Sequence, residues 1–290
     1  MKISIVIPNF NGEKLLENAL PNILEGSADE VIVMDDGSKD KSLKILEELR
    51  IKNKELKVLV NQKNLGFIPT VNKLFHEAVG DIVILLNNDV YVEKEFLKPI
   101  LKHFESEKVF AVNLHEEGES SSVAFWKDGF FEFRRGEENG NLQKSAWASG
   151  GSAAYRKSLW QELGGFDSLF APFYWEDIDI SFRAIKMGYE ILWEPNSKVK
   201  HEHETTIKKF NQKYVRWVRE RNQLLFIWKN ITDQKLKSEH RTGLLKRLVI
   251  NPGYWVPFLW AVVVILIRRG RISKLVSDKR SDMEAINYAS

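Results

Sequence analysis

The chain has 290 residues, 43% hydrophobic and 11% aromatic, enough for one large packed domain or a domain with an appendage, and too apolar for a disordered chain. With no cysteine, disulfides and thiolate metal sites are excluded, as suits a reducing compartment. The net charge of +3 is unevenly spread: Arg241 to Arg280 holds nine Lys/Arg and a single acid, Asp278, so the remainder, out of 43 basic and 40 acidic residues in all, is mildly acidic. A basic tail suits anionic lipid or nucleic acid, and the apolar content of this one favours lipid and no nucleic acid.

The N-terminus, Met1-Lys2-Ile3-Ser4-Ile5-Val6-Ile7, is too short for a signal peptide before Pro8 and reads as a first buried strand. The expected setting is therefore cytoplasmic. Further short β-branched runs at Glu30–Met34, Lys57–Val60 and Ile82–Leu86 predict three more strands. Helical patterns near Glu13–Leu24, Lys41–Lys52 and Pro69–Ala78 lie between them, with Asp40 as N-cap of the second and Pro69 in the first turn of the third. Alternation of this kind implies an α/β fold with a mostly parallel sheet flanked by helices, and ligands at the carboxyl ends of the strands. Residues 105–146 read as turns and strands, and Lys208–Lys229 as an amphipathic helix.

The run Leu248–Ile267 is uncharged and largely apolar, but Asn251, Pro252, Gly253 and Pro257 break its first half. Lys246 and Arg247 precede it, Arg268, Arg269 and Arg271 follow, and Trp255 and Trp260 suit the headgroup level. The expectation is a helix or helical hairpin lying on the membrane surface through residues 248–271, at the inner face of the plasma membrane. A buried helix, an oligomer contact or a span remain alternatives, and a homo-oligomer is left open.

Strand ends carry the chemistry. The first runs into Pro8-Asn9-Phe10-Asn11-Gly12, the second into Asp35-Asp36-Gly37-Ser38, and the fourth into Asn87-Asn88-Asp89, with Asn64-Leu65-Gly66 and Asn72 between. A carboxylate pair at the crevice can accept hydrogen bonds from a base edge and a ribose hydroxyl. An acid ending an apolar strand is costly unless paired, and a divalent cation bridging to a diphosphate would pair it.

With Gly150-Gly151, Gly164-Gly165-Phe166-Asp167, Glu176-Asp177-Ile178-Asp179, Arg183 and Val199-Lys200-His201, these motifs resemble, in order and spacing over residues 2–230, a family 2 glycosyltransferase of the inverting, rhamnosyltransferase-like kind that builds bacterial surface polysaccharide. The resemblance implies a GT-A (Rossmann-like nucleotide-binding) domain over 1–230, with a nucleotide-sugar half over 1–104 and an acceptor half over 105–230. A helical, basic, membrane-associating extension would follow over 231–290. It implies a UDP- or dTDP-sugar donor, Mn2+ or Mg2+ as cofactor, and a glycan or lipid-linked acceptor. Pro8, Asn9, Asn11, Asn64, Gly66, Asn72, Asn87 and Asn88 would line the donor pocket, with Asp36 or Asp35 on the base. Asp89 matches the last acid of the Asp-X-Asp metal motif, whose first position is here Asn87, one charge fewer. His201 or His203 would complete the metal site.

Asp177, with Glu176 beside it, matches the catalytic base, which removes the acceptor hydroxyl's proton in a single displacement. Gly150, Gly151, Trp147 and Trp175 would meet the acceptor, the aromatics, with Tyr174, being either sugar platforms or core. Asp179 and Arg183, an i,i+4 pair, read as structural. A nucleotidyltransferase would need a Gly- and Lys/Arg-rich loop after the first strand, which Asn9-Phe10-Asn11-Gly12 is not. A non-catalytic scaffold would not need Asp177.

Overall fold

The computed structural model describes residues 1–26, 28–201, 210–268 and 279–290. Its first third is the expected alternation: β1 (Ile3–Asn9), α1 (Glu13–Leu24), β2 (Glu30–Asp35), α2 (Ser42–Lys52), β3 (Leu56–Val60), α3 (Phe67–Glu77) and β4 (Ile82–Leu86). All five residues of β4 are fully buried, because each face of the strand meets a different core. Ile82, Ile84 and Leu86 pack with Leu16 and Leu20 of α1, while Val83 and Leu85 pack with Val71 and Leu74 of α3. A strand covered on both sides reads as a continuous apolar run, which made it visible in the sequence.

The next stretch supplies β5 (Val90–Val92), α4 (Leu97–Leu101), β6 (Val109–Glu116) and a separate hairpin of β7 (Ser122–Lys127) and β8 (Phe130–Arg135). β9 (Gln143–Lys144), β10 (Ser152–Arg156), α5 (Lys157–Glu162), α6 (Glu176–Lys186) and β11 (Glu190–His201) follow. The main sheet has the order β3-β2-β1-β4-β10-β6-β11-β5, with β9 beside β11. β3, β2, β1 and β4 are mutually parallel, β10 is antiparallel to β4 and β6, and β11 is parallel to β6. The order reverses direction at β1, leaving a crevice beyond the carboxyl ends of β1 and β4, where open α/β sheets bind ligands.

The N-cap of α2 falls at Lys41, one residue after the expected Asp40; Asp40 instead accepts with Oδ1 from Ser42 N–H at 3.0 Å and with Oδ2 from Glu13 N–H at 3.0 Å, tying the starts of α2 and α1 together.

The C-terminal part contains α7 (Gln212–Asn230), α8 (Gln234–Ile250), α9 (Trp255–Arg268) and α10 (Asp282–Ile286). The expected break in the apolar run is a turn at Pro252–Tyr254, where α8 and α9 bend by 117°. Among the described residues no single helix is long and apolar enough to cross a membrane. The expected division at residue 230 is not a packing boundary. Leu236 and Leu248 of α8, Ala261 of α9 and Ala285, Ile286 and Tyr288 share one core with α3, α6 and α7. The described residues 231–268 thus wrap as helices on the main domain, and residues 279–290 pack on α6.

Candidate active site

Three strand ends converge on a cavity of about 630 Å³. It is lined by Pro8, Asn9, Asp36, Asn64, Gly66, Asn87, Asn88 and Asp89 on one side, and by Trp147, Gly150, Gly151, Glu176, Asp177 and His201 on the other. Fourteen of the eighteen residues expected at the site therefore share one space. Four do not line it.

Those four support the wall instead. Asp35 is fully buried; it accepts from Asn9 Nδ2 at 3.0 Å and Ser38 N–H at 2.8 Å, and so fixes the loop after β2. Asn9 Oδ1 in turn accepts from Asn88 Nδ2 at 2.8 Å, which locks β1 to the β4 end. Asn11, at φ 49° in the loop after β1, accepts from Lys39 N–H in the loop after β2. Asn72 does not line the cavity: Nδ2 donates to Phe166 O at 2.8 Å and Oδ1 accepts from Phe166 N–H at 2.9 Å, which clasps α3 to the loop after α5. Trp175 is 6% exposed and packs against Phe131 and Phe226, so it is core and not a platform. Asp36, the acid that does reach the cavity, accepts from Leu65 and Gly66 N–H at 2.9 and 2.8 Å and from Asn61 Nδ2 at 2.8 Å, folding the Asn64–Gly66 turn back over β2.

The far wall is a loop bent into α6. Tyr174 and Trp175 have φ of 69° and 79°, two consecutive side-chain-bearing residues in the left-handed region. Such strain persists only where surroundings over-determine it. Here Asn222 of α7 does so, its amide donating to the carbonyls of Phe170, Phe173 and Tyr174 at 2.8, 3.0 and 2.8 Å. The reversal turns Trp175 inward and presents Glu176 and Asp177, the first residues of α6, to the cavity. Asp177 accepts from Ile178 N–H at 2.8 Å and Gly150 N–H at 3.3 Å. Burial outweighs these hydrogen bonds and pushes its carboxyl up to about 6. Burial and then the neighbouring Asp177 raise Glu176 well above the usual carboxylate range, and among the described residues its Oε2 has no hydrogen-bond partner. At Gly151 a Cβ would stand 2.3 Å from Asn87 Nδ2, so a side chain there would push Asn87 from its place on the wall. Asp179 is structural, paired with Arg183 at 2.9 Å and with Lys229 at 2.8 Å.

A second cluster sits where β5 meets β11. Their antiparallel register pairs Val90 with His201, which brings His201 Nε2 to 3.0 Å from Asp89 Oδ1. On the other side His201 Nδ1 lies 3.1 Å from Glu116 Oε2. Burial alone would lower the imidazole; its hydrogen bonds to Asp89 and Glu116 raise it to about 9. Asp89 and His201 offer the carboxylate oxygen and imidazole nitrogen that a divalent cation takes, and these donors stand 3.0 Å apart. Among the described residues no group of three His, Cys, Asp or Glu could hold an ion, so substrate oxygens and water would complete its shell. His203, the alternative ligand, lies outside the described residues.

Sequence reasoning missed Glu116 and Asn113. Asn113 Oδ1 accepts from Ser149 N–H at 2.6 Å and Nδ2 donates to Trp147 O at 2.9 Å, which shapes the wall carrying Trp147. Both lie on β6, and the available signal was a polar residue interrupting the apolar run Val109–Leu114 or ending it.

The family model described as "Glycosyl transferase family 2" matches residues 4–164. The chain is 24% identical over 229 residues to the O-antigen chain rhamnosyltransferase RfbN of Salmonella typhimurium, covering 74% of this chain and 70% of that one. It is 25% identical over 226 residues to N-acetylgalactosaminyltransferase 7 of Drosophila melanogaster, covering 68% of this chain and 38% of that one. Among solved structures it is similar to GalNAc-T7 with UDP, GalNAc and Mn2+ (TM-score 0.67, 17% identity, 82% of this chain and 49% of that one). It is also similar to the mannosyltransferase PcManGT of Pyrobaculum calidifontis with GDP-Man and Mn2+ (TM-score 0.60, 18% identity, 94% and 76%).

Proposed function

Since the chain belongs to glycosyl transferase family 2 and is a glycosyltransferase of the GT-A fold, we propose that it inverts the anomeric centre while moving a sugar from a UDP- or dTDP-sugar to a glycan or lipid-linked acceptor of cell-surface polysaccharide. The similarity to an O-antigen chain rhamnosyltransferase supports the acceptor class. The observation that carries the reading is Asp177. It stands on the cavity wall with its proton affinity raised to about 6, the property a base needs near neutral pH.

In the proposed step an acceptor hydroxyl oxygen forms its bond to the anomeric carbon as the bond from that carbon to the diphosphate oxygen breaks. The hydroxyl proton goes to Asp177, and the diphosphate leaves with the electron pair. Gly150 N–H, on Asp177 Oδ2, and Ile178 N–H, on Oδ1, hold the base in place. Asp36, Asn9 and Asn64 are proposed to receive the nucleoside, where they line the near wall. Mn2+ or Mg2+ held by Asp89 and His201 would stabilise charge on the departing diphosphate, in keeping with Mn2+ in the GalNAc-T7 and PcManGT structures.

The membrane belongs to the same proposal. Leu245, Val249 and Ile250 of α8 and Val256, Leu259, Val263, Leu266 and Ile267 of α9 are exposed along the bend, next to Arg241 and Lys246 and with Trp255 at the corner. Apolar exposure beside basic charge suits an anionic lipid surface, and the proposed place of work is the cytoplasmic face of the plasma membrane. The inner side of α9 bears on the cavity wall, since Trp260 meets Tyr214, which with Phe210 packs against Phe173. A lipid-linked acceptor would then arrive beside the face that docks.

The test is a panel of nucleotide sugars with Mn2+, read for slow donor hydrolysis and, with acceptor, for transfer. Asp177→Asn should lose transfer by at least about 100-fold while donor binding stays near that of the parent. Undiminished transfer by that variant would end the assignment of the base.

A further inference from the structure

The metal site proposed above lacks the negative charge that an Asp at position 87 would bring, because Asn87 stands there. We propose that Glu116 supplies that charge from behind: it is the positioning residue that holds the His201 imidazole and presents Nε2 to the cation beside Asp89. The inference rests on the reading of Asp89 and His201 as the cation's ligands.

Glu116 is the last residue of β6 and is 7% exposed. Its backbone is registered against Val199 of β11, and Glu117 N–H donates to Val199 O at 3.3 Å. His201 lies two residues beyond Val199, on the same side of the strand. The glutamate side chain is long enough to reach that ring, and Oε2 stands 3.1 Å from Nδ1. The other oxygen, Oε1, accepts a short hydrogen bond from Ser152 Oγ, which in turn accepts from Ser149 Oγ at 3.0 Å. Both carboxylate oxygens are thus engaged away from Asp89, so Glu116 acts on the histidine and not as a third ligand.

A carboxylate on one ring nitrogen does two things to a metal-binding histidine. It fixes the tautomer and the ring plane, and it makes the other nitrogen a better donor. Here both effects fall on a site with two protein ligands. With Glu116 counted, the groups around the cation carry two negative charges, the number an Asp-X-Asp pair would give. Ser152 orients Glu116 in turn and begins β10, whose pairing with β4 (Ser152 with Leu86) ties this relay to the strand that ends in Asn87-Asn88-Asp89. One alternative role for Glu116 is to join β6 to β10 through Ser152, and an ion-affinity measurement separates the two.

Mn2+ is titrated into the full chain saturated with UDP, whose diphosphate oxygens complete the shell, and followed by loss of the free-ion EPR signal against a protein-free UDP blank, with thermal melting and metal-free UDP binding as folding controls. Glu116→Ala should weaken Mn2+ binding toward 100-fold and Glu116→Gln nearer 10-fold, since Gln keeps an acceptor for Nδ1–H but not the charge (outer-shell losses run about 10- to 100-fold). Ser152→Ala, a milder change, should weaken it by a few-fold. Metal-free UDP binding should be that of the parent in all three. Asp89→Ala and His201→Ala should remove Mn2+ binding altogether. If those two do so while both Glu116 variants bind within twofold of the parent, the positioning role is overturned and the metal reading stands. If Asp89→Ala and His201→Ala bind Mn2+ as the parent does, or the parent binds none, the metal reading falls and this inference with it.

Discussion

Glu176 and Asp177 are neighbours in sequence and are both pushed up by burial, yet they face different demands. Asp177 must be ionised to take a proton, so kcat/KM should fall about tenfold per pH unit below about 6 and level off above it. A profile flat from pH 5 to 7 would remove Asp177 from the reaction. Glu176 has a folded-state proton affinity above its unfolded one, so its ionised form costs stability, increasingly as pH rises from the unfolded value toward the folded one. Glu176→Gln should therefore match the parent near pH 4.5 and exceed it by about 1 kcal/mol or more near pH 8. Denaturant melts at the two values decide it, and a Gln variant less stable at pH 8 refutes the burial argument. Both acids were legible as a motif, as was Asp89. Trp175 was not, because the inward turn depends on two left-handed residues pinned by Asn222 from a helix about fifty residues away. The clasp of Asn72 on Phe166 was not legible for a related reason, since its partner lies 94 residues away.

At the scale of elements, strands covered on both faces and helices with buried stripes announced themselves, and β2, β3, β4, α1 and α2 lie within a residue of their expected bounds. β5 did not, for three residues carry no period, and its worth lies in a pairing partner about a hundred residues on. The second half of β11 was equally silent, because a register shift between Glu194 and Lys198 carries the strand on to His201. The meeting of Asp89 with His201 is therefore a product of register, which local sequence does not display. The α8–α9 bend was legible from Pro252 and Gly253, and its exposed face yields a prediction. Replacing Leu259, Val263 and Leu266 together with Asp should lower binding to vesicles containing phosphatidylglycerol by at least about 100-fold, given about 1.5 kcal/mol or more per apolar side chain moved into lipid. Flotation measures it, with turnover of a water-soluble acceptor expected to stay that of the parent. Unaltered flotation would remove this face from the membrane.

For the whole molecule, the C-terminus holds the wrapping helices to the transferase core. Lys186, near the end of α6, pairs with Asp282 at 2.5 Å, both side chains almost wholly buried, and Asp282 also accepts from Thr232 and Asp233 N–H at 2.6 and 2.7 Å at the head of α8. One carboxylate thereby ties α6, the α7–α8 junction and α10, whose first turn is closed by a reciprocal pair between Ser281 and Glu284. Burial works against the Asp282 carboxylate, but Lys186 and the two backbone donors outweigh it and hold its proton affinity below the usual range. A depressed carboxylate stabilises above its unfolded value and loses that contribution as pH falls through its folded one. Asp282→Ala leaves Lys186 buried without its partner and two N–H groups at the head of α8 unmet, and it should cost about 3–5 kcal/mol at pH 7. The penalty should shrink as pH falls below about 4, the unfolded carboxylate's value, toward the lower value at which the folded parent takes up its proton. Because α6 begins with Glu176 and Asp177, the variant should also lose transfer at temperatures below its own melting point, with activity and α-helical signal parting company as it warms. A variant that melts with the parent and transfers at the same rate would show that the C-terminal return is ornamental to the site.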